Sequence, residues 1–440
     1  MPTNRVFIHT LGCPKNEVDS EVMAGILRRD GWEIAEAAEE ADLILINTCT
    51  FIDDAKEESI GAVLEAGRAK GARKLLVAGC LAERYGADLL REVPEIDGLT
   101  GVRSLHAVGR AARKLFEISP RRAPDSANGD GDPDRIGEGR LPLGRSHTAY
   151  LKIAEGCDRP CAFCSIPAFR GPLRSRSIGS LEREARSLAA RGARELVLVA
   201  QETTAYGKDL GDGSGLPALI DRLHRIEKIR WVRVLYAYPS EIGGALIERL
   251  ADGRACRYLD IPAQHASDRM LRAMRRGMSG STVRGALERL RTRVPGIALR
   301  SSLLVGFPGE TDADFDELLR FAEEAAFEHL GVFRFSPQEG TEAASLPNPV
   351  PDDLAEERMR MLLDLQERIV ERRTRGLIGR SIEVLVDGED EEGVWARSES
   401  DAPEIDGAVI LPRGSGAPGD FLRARITGAA GPVLFAETGG

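Results

Sequence analysis

The stretch EGCDRPCAFCSIP, residues 155–167, carries three cysteines in the spacing C-x3-C-x2-C: Cys157, Cys161 and Cys164. It directly follows an apolar run, AYLKIAEG, that we predict to be a β-strand. Three soft thiol ligands on one loop suit a metal. A closed zinc site needs four ligands, and His147 or Cys256 could supply the fourth. A 4Fe-4S cluster held by three thiolates leaves its fourth iron open. Zinc, an open cluster and buried structural cysteines all remain possible readings of this loop.

The length and composition of the chain indicate a soluble protein of several domains. It has 440 residues, of which 42% are hydrophobic and 30% charged, so we expect two or three domains. The start, MPTNRVFIHTLGC, lacks the apolar core of a signal peptide, and no apolar run could span a bilayer. We therefore expect a cytoplasmic protein. There, seven cysteines are better suited to metal or redox chemistry than to disulfides.

Residues 1–118 alternate short apolar runs with helix-like stretches. The runs are RVFIHT, ADLILINT and RKLLVAG. Buried runs that alternate with helices predict a parallel α/β sheet. Residues 119–140 are rich in Pro, Gly and Asp and nearly free of apolar side chains, which predicts an exposed linker.

Residues 141–375 repeat this alternation with six candidate strands. Six βα units predict a partial barrel with its chemistry at the C-terminal ends of the strands. Residues 376–440 contain five short apolar runs separated by turns rich in Gly and Pro, which predicts a small all-β domain. The predicted class is therefore α/β with three domains.

A second set of cysteines follows the strands of the first domain. Cys13, Cys49 and Cys80 each come immediately after an apolar run. The C-terminal ends of parallel strands lie at one edge of the sheet, so the three thiols can meet there. Cysteines also close strands as ordinary buried residues, but three in succession favour a second triad. Cys256 belongs to neither set, and we expect it in the core at the start of a strand.

Charge is distributed unevenly along the chain. The whole chain carries −10, and residues 380–440, with five arginines and twelve acidic residues, carry −7. This balance disfavours a generic nucleic-acid binder, because phosphates are bound by Lys and Arg. An acidic C-terminal domain would repel tRNA and attract a basic protein, unless it serves only solubility.

With Phe163 placed just before its last cysteine, the loop resembles that of the radical S-adenosylmethionine enzymes. The resemblance implies a partial βα barrel with the loop after its first strand. It also implies a 4Fe-4S cluster on Cys157, Cys161 and Cys164. The open iron of that cluster would bind the amino and carboxylate groups of S-adenosylmethionine, and reduction would release a 5′-deoxyadenosyl radical.

The same resemblance suggests further cofactor contacts, among them Phe163 beside the last cysteine of the loop. Gln201 and Glu202 end the next strand, where the family usually has a Gln-Asp pair. Gly306 and Gly309, in SLLVGFPGETDADF, would let the backbone approach the adenosyl group. Arg300, on the fifth barrel strand, is a candidate for the cofactor carboxylate.

Two neighbouring segments have ordinary explanations as well as functional ones. The basic stretch FRGPLRSRS, with Arg170, Arg174 and Arg176, could hold the cofactor carboxylate or a substrate carboxylate, or could be a solvated loop. Thr311 and Asp314 have the spacing of a helix capping box.

Along essentially its whole length the chain resembles the methylthiotransferase family. The resemblance implies an auxiliary 4Fe-4S cluster on Cys13, Cys49 and Cys80 and a C-terminal TRAM-like domain that docks the substrate. One branch modifies an adenosine of tRNA, and the other an aspartate of the small-ribosomal-subunit protein twelve. The strings GCPKNEVDSE, NTCTFIDDAKEESI, AQETTAYGKD and IPAQHASDRMLRAMRR resemble the second branch. Thr50 replaces a common Gly and Ala263 a common Leu.

The implied activity is radical addition of a methylthio group to the β-carbon of that aspartate. It would need two 4Fe-4S clusters, S-adenosylmethionine and a reducing electron donor, but no acid or base from the protein. The alternatives are methylthiolation of tRNA, a radical enzyme whose auxiliary cluster only transfers electrons, and a zinc-stabilised binding protein.

Overall fold

The computed structural model of the chain describes residues 4–439, except 117–131, 136 and 138. The predicted linker 119–140 therefore lies mostly outside the described residues. Its last residue is not exposed as predicted: Arg140 is buried and contacts Glu21 at 2.6 Å and Glu184 at 2.7 Å. This arginine ties the first helix of the chain to a helix of the barrel.

The N-terminal part is a five-stranded sheet whose strands are all parallel, as predicted. Its strands are β1 (Arg5–Thr10), β2 (Glu33–Ile34), β3 (Leu43–Thr48), β4 (Lys74–Gly79) and β5 (Gly98–Gly101). Its helices are α1 (Pro14–Arg29), α2 (Asp53–Ala69), α3 (Cys80–Glu92) and α4 (Val108–Leu115). The order is β2-β1-β3-β4-β5. The apolar runs predict β1, β3 and β4, whereas β2 and β5 are too short to show such a run.

The central part is a partial barrel of six parallel strands in the order β13-β12-β11-β10-β9-β6, which confirms the prediction. These strands are β6 (Thr148–Lys152), β9 (Glu195–Val199), β10 (Trp231–Val234), β11 (Tyr258–Asp260), β12 (Ala298–Val305) and β13 (His329–Arg334). A short antiparallel pair consists of β7 (Ala154–Glu155) and β8 (Arg174–Ser175). The helices are α5 (Ile166–Arg170), α6 (Ile178–Ala190), α7 (Leu216–Leu223), α8 (Gly244–Ala251), α9 (Asp268–Ala273), α10 (Gly280–Arg293), α11 (Asp312–Ala325) and α12 (Asp352–Arg375).

The C-terminal part is a closed barrel in the order β14-β15-β16-β18-β17, which confirms the predicted small all-β domain. The strands are β14 (Ser381–Glu389), β15 (Val394–Ser398), β16 (Val409–Leu411), β17 (Phe421–Ala430) and β18 (Val433–Thr438). The predicted capping box is also present: Thr311 and Asp314 exchange hydrogen bonds at the start of α11.

The two faces of the central sheet pack against different partners. Outward side chains such as Leu151 and Leu198 are buried together with the barrel helices. Inward side chains such as Val197 share one buried cluster with Val22 of α1 and Leu385 of β14. The open side of the partial barrel is therefore covered by the other two domains, which brings the N-terminal sheet against the barrel interior.

Buried ion pairs fasten the C-terminal domain to the barrel. Arg397 contacts Glu195 of the barrel at 2.8 Å and Asp387 of its own domain at 2.6 Å. Arg300 of the barrel contacts Asp406 at 2.5 Å. Burial alone would raise the pKa of Asp387, but hydrogen bonds from neighbouring histidine and arginine side chains lower it to about 2. Part of the acidic charge of residues 380–440 is therefore internal and already neutralised.

None of the helices in the described part of the chain has the length and apolarity needed to cross a membrane.

Candidate active site

The cysteine loop is closed at its base and open to a cavity. The β7–β8 pair joins the two ends of the loop, and the Cys157 N–H donates to the Gly171 carbonyl at 3.1 Å. Cys157, Cys161 and Cys164 all line one open cavity of about 460 Å³, together with Arg275, Gly340 and Glu342. The three thiols therefore share a space that is large enough for a further group.

An apolar anchor holds the loop on the barrel. The Ala162 N–H donates to the Met274 carbonyl at 3.0 Å. Phe163 packs against a cluster that includes Met270, Met274 and Phe307 and does not line the cavity. The structure therefore places Phe163 as an anchor of the loop, and its contact with the cofactor stays a prediction.

Burial disfavours ionisation of two thiols of the loop. Burial raises the pKa of Cys157, and it raises the pKa of Cys164 to about 12. The Arg276 Nη1 lies 3.5 Å from the Cys161 Sγ. Thiols of this kind act as ligands once a metal stabilises the thiolate.

The second triad forms at the edge of the N-terminal sheet. Thr10 pairs with Asn47, and Thr48 with Gly79, so β1, β3 and β4 end side by side, next to Cys13, Cys49 and Cys80. Gly12 has φ +91°, and a Cβ there would stand 2.6 Å from the Cys49 Cβ. Only glycine permits this close approach of the first and second cysteine segments.

The charges around the second triad differ between its thiols. Burial disfavours the Cys13 thiolate, but the charges of Lys15 and Arg170 outweigh burial and lower the pKa of Cys13. Burial raises the pKa of Cys80 to about 12, although Arg170 lies against its sulfur. Cys13 and Cys49 also raise the pKa of Cys80. The three thiols therefore lie within electrostatic reach of one another.

The donor sets fit clusters better than single ions. Among the described residues, no three His, Cys, Asp or Glu side chains are grouped closely enough to hold one metal ion. In a 4Fe-4S cluster each thiolate binds a different iron, so the sulfurs need not converge on one point. Two all-cysteine triads, one lining a cavity, are donor sets of that type.

Helix α5 connects the two triads. It begins two residues after Cys164 and ends at Arg170, whose Nη2 lies 3.1 Å from the Cys80 Sγ and 2.9 Å from the Asn16 Oδ1. Asn16 also donates from Nδ2 to the Thr48 carbonyl at 3.0 Å. The two cysteine sets are therefore neighbours, one at each end of a five-residue helix.

Arg84 makes a second connection that the sequence analysis did not identify. Its guanidinium contacts the Thr50 carbonyl at 3.4 Å and the Ser165 Oγ at 3.3 Å. Thr50 follows Cys49 and Ser165 follows Cys164. No motif surrounds Arg84, because its partners come from two distant segments.

A buried network of charges lies beside the triads. Lys152 contacts Asp19, and Glu155 at 2.8 Å, while Arg170 contacts Glu155 at 2.9 Å. Gln201 donates to Glu155 at 2.9 Å, and its Oε1 is buried without a hydrogen-bond partner. Gln201 thus lies near the base of the cysteine loop with one acceptor unused, and its contact with the cofactor stays a prediction.

Glu202 is held by the loop itself. Arg159 donates to both of its carboxylate oxygens, at 2.5 and 2.8 Å. The same guanidinium lies 3.9 Å from the centroid of the Tyr238 ring. Glu202 is therefore close to the cysteines and accepts from Arg159, and its contact with the cofactor stays a prediction.

Three other predicted cofactor contacts have structural partners. Arg300 pairs with Asp406 of the C-terminal domain and does not line the cavity. Gly306 has φ +76°, and a Cβ there would stand 2.7 Å from the Ala355 Cβ, so close packing on α12 explains this glycine. Gly309 has φ +80°, its N–H donates to the Asn348 carbonyl at 2.7 Å, and its carbonyl accepts from Arg269 at 2.7 Å.

The remaining candidates lie away from the cavity or deep in the interior. Arg176 is buried and contacts Glu184 at 2.5 Å, so it belongs to no solvated loop. Arg174 pairs with Glu155 in the β7–β8 ladder. The two candidate zinc ligands do not reach the loop: His147 contacts an aspartate of β14 at 2.8 Å, and Cys256 is a buried core residue, as expected.

Family models match three parts of the chain. The model of the "uncharacterized protein family UPF0004" matches residues 5–101, that of the radical SAM superfamily residues 151–322, and that of the TRAM domain residues 378–438. Among solved structures, the chain resembles the radical S-adenosylmethionine methyltransferase TsrM from Kitasatospora setae. The TM-score is 0.56 at 15% identity, over 78% of this chain and 77% of that one. Fold and cysteine loop thus define a radical S-adenosylmethionine protein.

Curated relatives narrow the class. The chain is 47% identical to "Ribosomal protein uS12 methylthiotransferase RimO" of Desulforudis audaxviator, over 97% of this chain and 95% of that protein. It is also 47% identical to the protein of the same name from an Anaeromyxobacter species, strain K, over 97% and 91%. The chain belongs to the RimO family of ribosomal protein uS12 methylthiotransferases.

Proposed function

We propose that the chain is a radical methylthiotransferase that adds a methylthio group to the β-carbon of an aspartate in ribosomal protein uS12. The observation that carries this proposal is the adjacency of the two cysteine triads through α5 and Arg170. A reaction that joins a carbon radical to sulfur needs the radical source and the sulfur carrier close together. The RimO family membership supports the same substrate.

The residues that would hold the cofactors follow from the two donor sets. Cys157, Cys161 and Cys164 would bind one 4Fe-4S cluster, and Cys13, Cys49 and Cys80 the other. When bound, the clusters would supply an open iron with an electron for S-adenosylmethionine and a carrier for the transferred sulfur. The domains we propose are 1–118 for the auxiliary site, 141–375 for the radical site and 376–440 for docking.

The protein's own side chains would supply position and shielding. Arg159 and Arg276 flank the Tyr238 ring, 3.9 and 4.3 Å from its centroid, and lie beside the cysteine loop. The N-terminal and C-terminal domains cover the open side of the barrel. Both features would keep water from the reacting carbon, which a radical step requires. None of the steps assigned to the protein needs a side-chain acid or base.

The negative charge of the C-terminal domain supports a basic partner, although fewer of its acidic residues are available for binding than the composition implies. Asp387 and Asp406 are internal and paired with arginines. The acidic turn 389–392, between β14 and β15, is exposed. We infer that this turn faces the basic ribosomal protein, in the cytoplasm, and that nucleic acid is not the direct substrate. A separate reductant would supply the electron.

The expected result with reconstituted enzyme is one methylthio group on uS12 and none on tRNA. The assay would combine anaerobic enzyme, reductant and S-adenosylmethionine with purified uS12 or with total tRNA. Mass spectrometry of uS12 peptides and of tRNA nucleosides would measure both products. If adenosine in tRNA is modified and uS12 is not, the tRNA alternative is favoured. If 5′-deoxyadenosine forms without any sulfur insertion, a different radical enzyme is favoured.

A further inference from the structure

Lys15 is a nearly buried cation where the N-terminal sheet meets the barrel. Its side chain is 9% exposed, and it lies in the first turn of α1, two residues beyond Cys13. Its Nζ lies 3.7 Å from the centroid of the Tyr236 ring. No carboxylate among the described residues is within ion-pair distance of it. Lys152, by contrast, is buried to a similar degree and has two carboxylate partners.

This environment favours a carboxylate, which no described residue supplies to Lys15 within ion-pair distance. A buried ammonium without a counter-ion loses its hydration, and an aromatic face returns only part of that cost. The start of a helix adds further positive potential. Tyr236 and Cys13 act on Lys15 electrostatically and Arg170 repels it, but Cys13 is a proposed ligand of the auxiliary cluster, and none of these groups is a carboxylate.

A second unsatisfied group lies on the other side of Tyr236. Asp260 is 3% exposed, its Oδ2 accepts from the Tyr236 N–H at 3.1 Å, and its Oδ1 is buried without a hydrogen-bond partner. The site therefore has a cation without a carboxylate partner and an unused acceptor. A ligand with a carboxylate and a nearby N–H, such as an aspartate residue in a peptide, would satisfy both.

The location is also suitable, because one short segment links Lys15 to the radical loop. Tyr236 contacts Lys15, and Tyr238, two residues on, has its ring 4.3 Å from Arg276. The Arg276 Nη1 lies 3.5 Å from the Cys161 Sγ. A group bound at Lys15 would thus lie beside Cys13 on one side and face the cysteine loop on the other.

We propose that the Lys15 ammonium binds the side-chain carboxylate of the target aspartate. This inference rests on the proposed function and names the residue that selects its substrate. The carboxyl carbon is bonded directly to the β-carbon, so the ion pair would hold that carbon one bond from a fixed point between the two triads. An asparagine in the same place would leave the ammonium unpaired.

The test compares two substrates with three enzymes. The substrates are uS12 with its native target aspartate and uS12 with asparagine in that position, and the enzymes are wild type, Lys15→Met and Lys15→Arg. Wild type should prefer aspartate by about a hundredfold in kcat/KM, the size expected for a charged hydrogen bond. Lys15→Met should make kcat/KM for the two substrates nearly equal, and Lys15→Arg should keep most of the preference for aspartate.

A binding measurement on unreduced holoenzyme gives a readout independent of turnover. Fluorescence anisotropy with labelled target peptides should show that Lys15→Met raises the Kd of the aspartate peptide about tenfold to a hundredfold. The Kd of the asparagine peptide should hardly change. Iron content and the EPR spectrum of each enzyme check that both clusters are loaded.

Three results would overturn the assignment. If Lys15→Met lowers kcat/KM equally for both substrates, Lys15 has only a structural role or acts on the auxiliary cluster. If it abolishes the change that S-adenosylmethionine causes in the EPR spectrum, Lys15 serves the cofactor. If wild-type enzyme modifies no aspartate while Lys15→Met binds both peptides like wild type, the proposed function and this inference both fail. Loss of modification with peptide discrimination intact in wild type would count against the function alone.

Discussion

A variant with alanine at Cys157, Cys161 and Cys164 should keep about four of about eight irons per chain and lose all cleavage of S-adenosylmethionine. The three thiols line one cavity, and no other cysteine does so. Without them the open iron that binds the cofactor has no site. Iron and sulfide assays after anaerobic reconstitution, together with detection of 5′-deoxyadenosine, measure both effects.

The reciprocal variant separates the two triads. Alanine at Cys13, Cys49 and Cys80 should also leave about four irons, but S-adenosylmethionine cleavage should continue while methylthio transfer stops. Cys256→Ala is the matched control, because this thiol is buried in the core and belongs to neither triad. It should retain all the iron. If either triple variant keeps the full iron content, or if zinc replaces iron in the wild type, the assignment of two clusters is wrong.

Arg170→Met should destabilise the apo protein by about 3–5 kcal/mol and impair loading of the auxiliary cluster. Arg170 is 3% exposed and shares Asp19 and Glu155 with Lys152. Its removal would leave two buried carboxylates with one cation, and breaking a buried pair by deleting one partner costs an amount of that order. It would also remove the N–H donor from the Cys80 sulfur.

Anaerobic urea unfolding of the apo protein would measure this loss of stability. Loading of the auxiliary cluster would be measured by EPR with Arg170→Met introduced into the Cys157/Cys161/Cys164 triple variant, which has only that cluster. Arg186→Met is the matched control, since Arg186 is 56% exposed and pairs with Glu182 on the surface of α6. It should change the free energy of unfolding by less than about 1 kcal/mol. Equal effects of the two substitutions would show that the buried network contributes little.

The features that sequence predicts here are those set by local pattern. Apolar runs of five or six residues mark β1, β3 and β4, and a cysteine directly after each run is enough to bring the three thiols to one edge of a parallel sheet. The spacing of the radical loop likewise places its cysteines together. The all-β structure of residues 381–438 follows from the same kind of pattern.

The features that sequence does not predict depend on which segments meet in three dimensions. Arg300 lies on a barrel strand, as expected, but nothing local shows that Asp406 of a distant domain covers it. Gly306 is glycine because α12 packs against it. Arg84 and Arg170 join the triads through contacts to residues that are 34 to 154 positions away in the sequence. Composition also overstates the exposed acidity of the C-terminal domain, because its internal acids pair with arginines.

The most direct test of the central claim follows one hydrogen atom. Purified uS12 would carry deuterium at the β-carbon of its aspartates and react with the holoenzyme under single turnover. The account predicts deuterium in 5′-deoxyadenosine and a methylthio group on one aspartate that has lost one deuterium. Unlabelled 5′-deoxyadenosine together with a methylthio product, or methylthio transfer to uS12 that persists without the Cys157, Cys161 and Cys164 thiols, would contradict it.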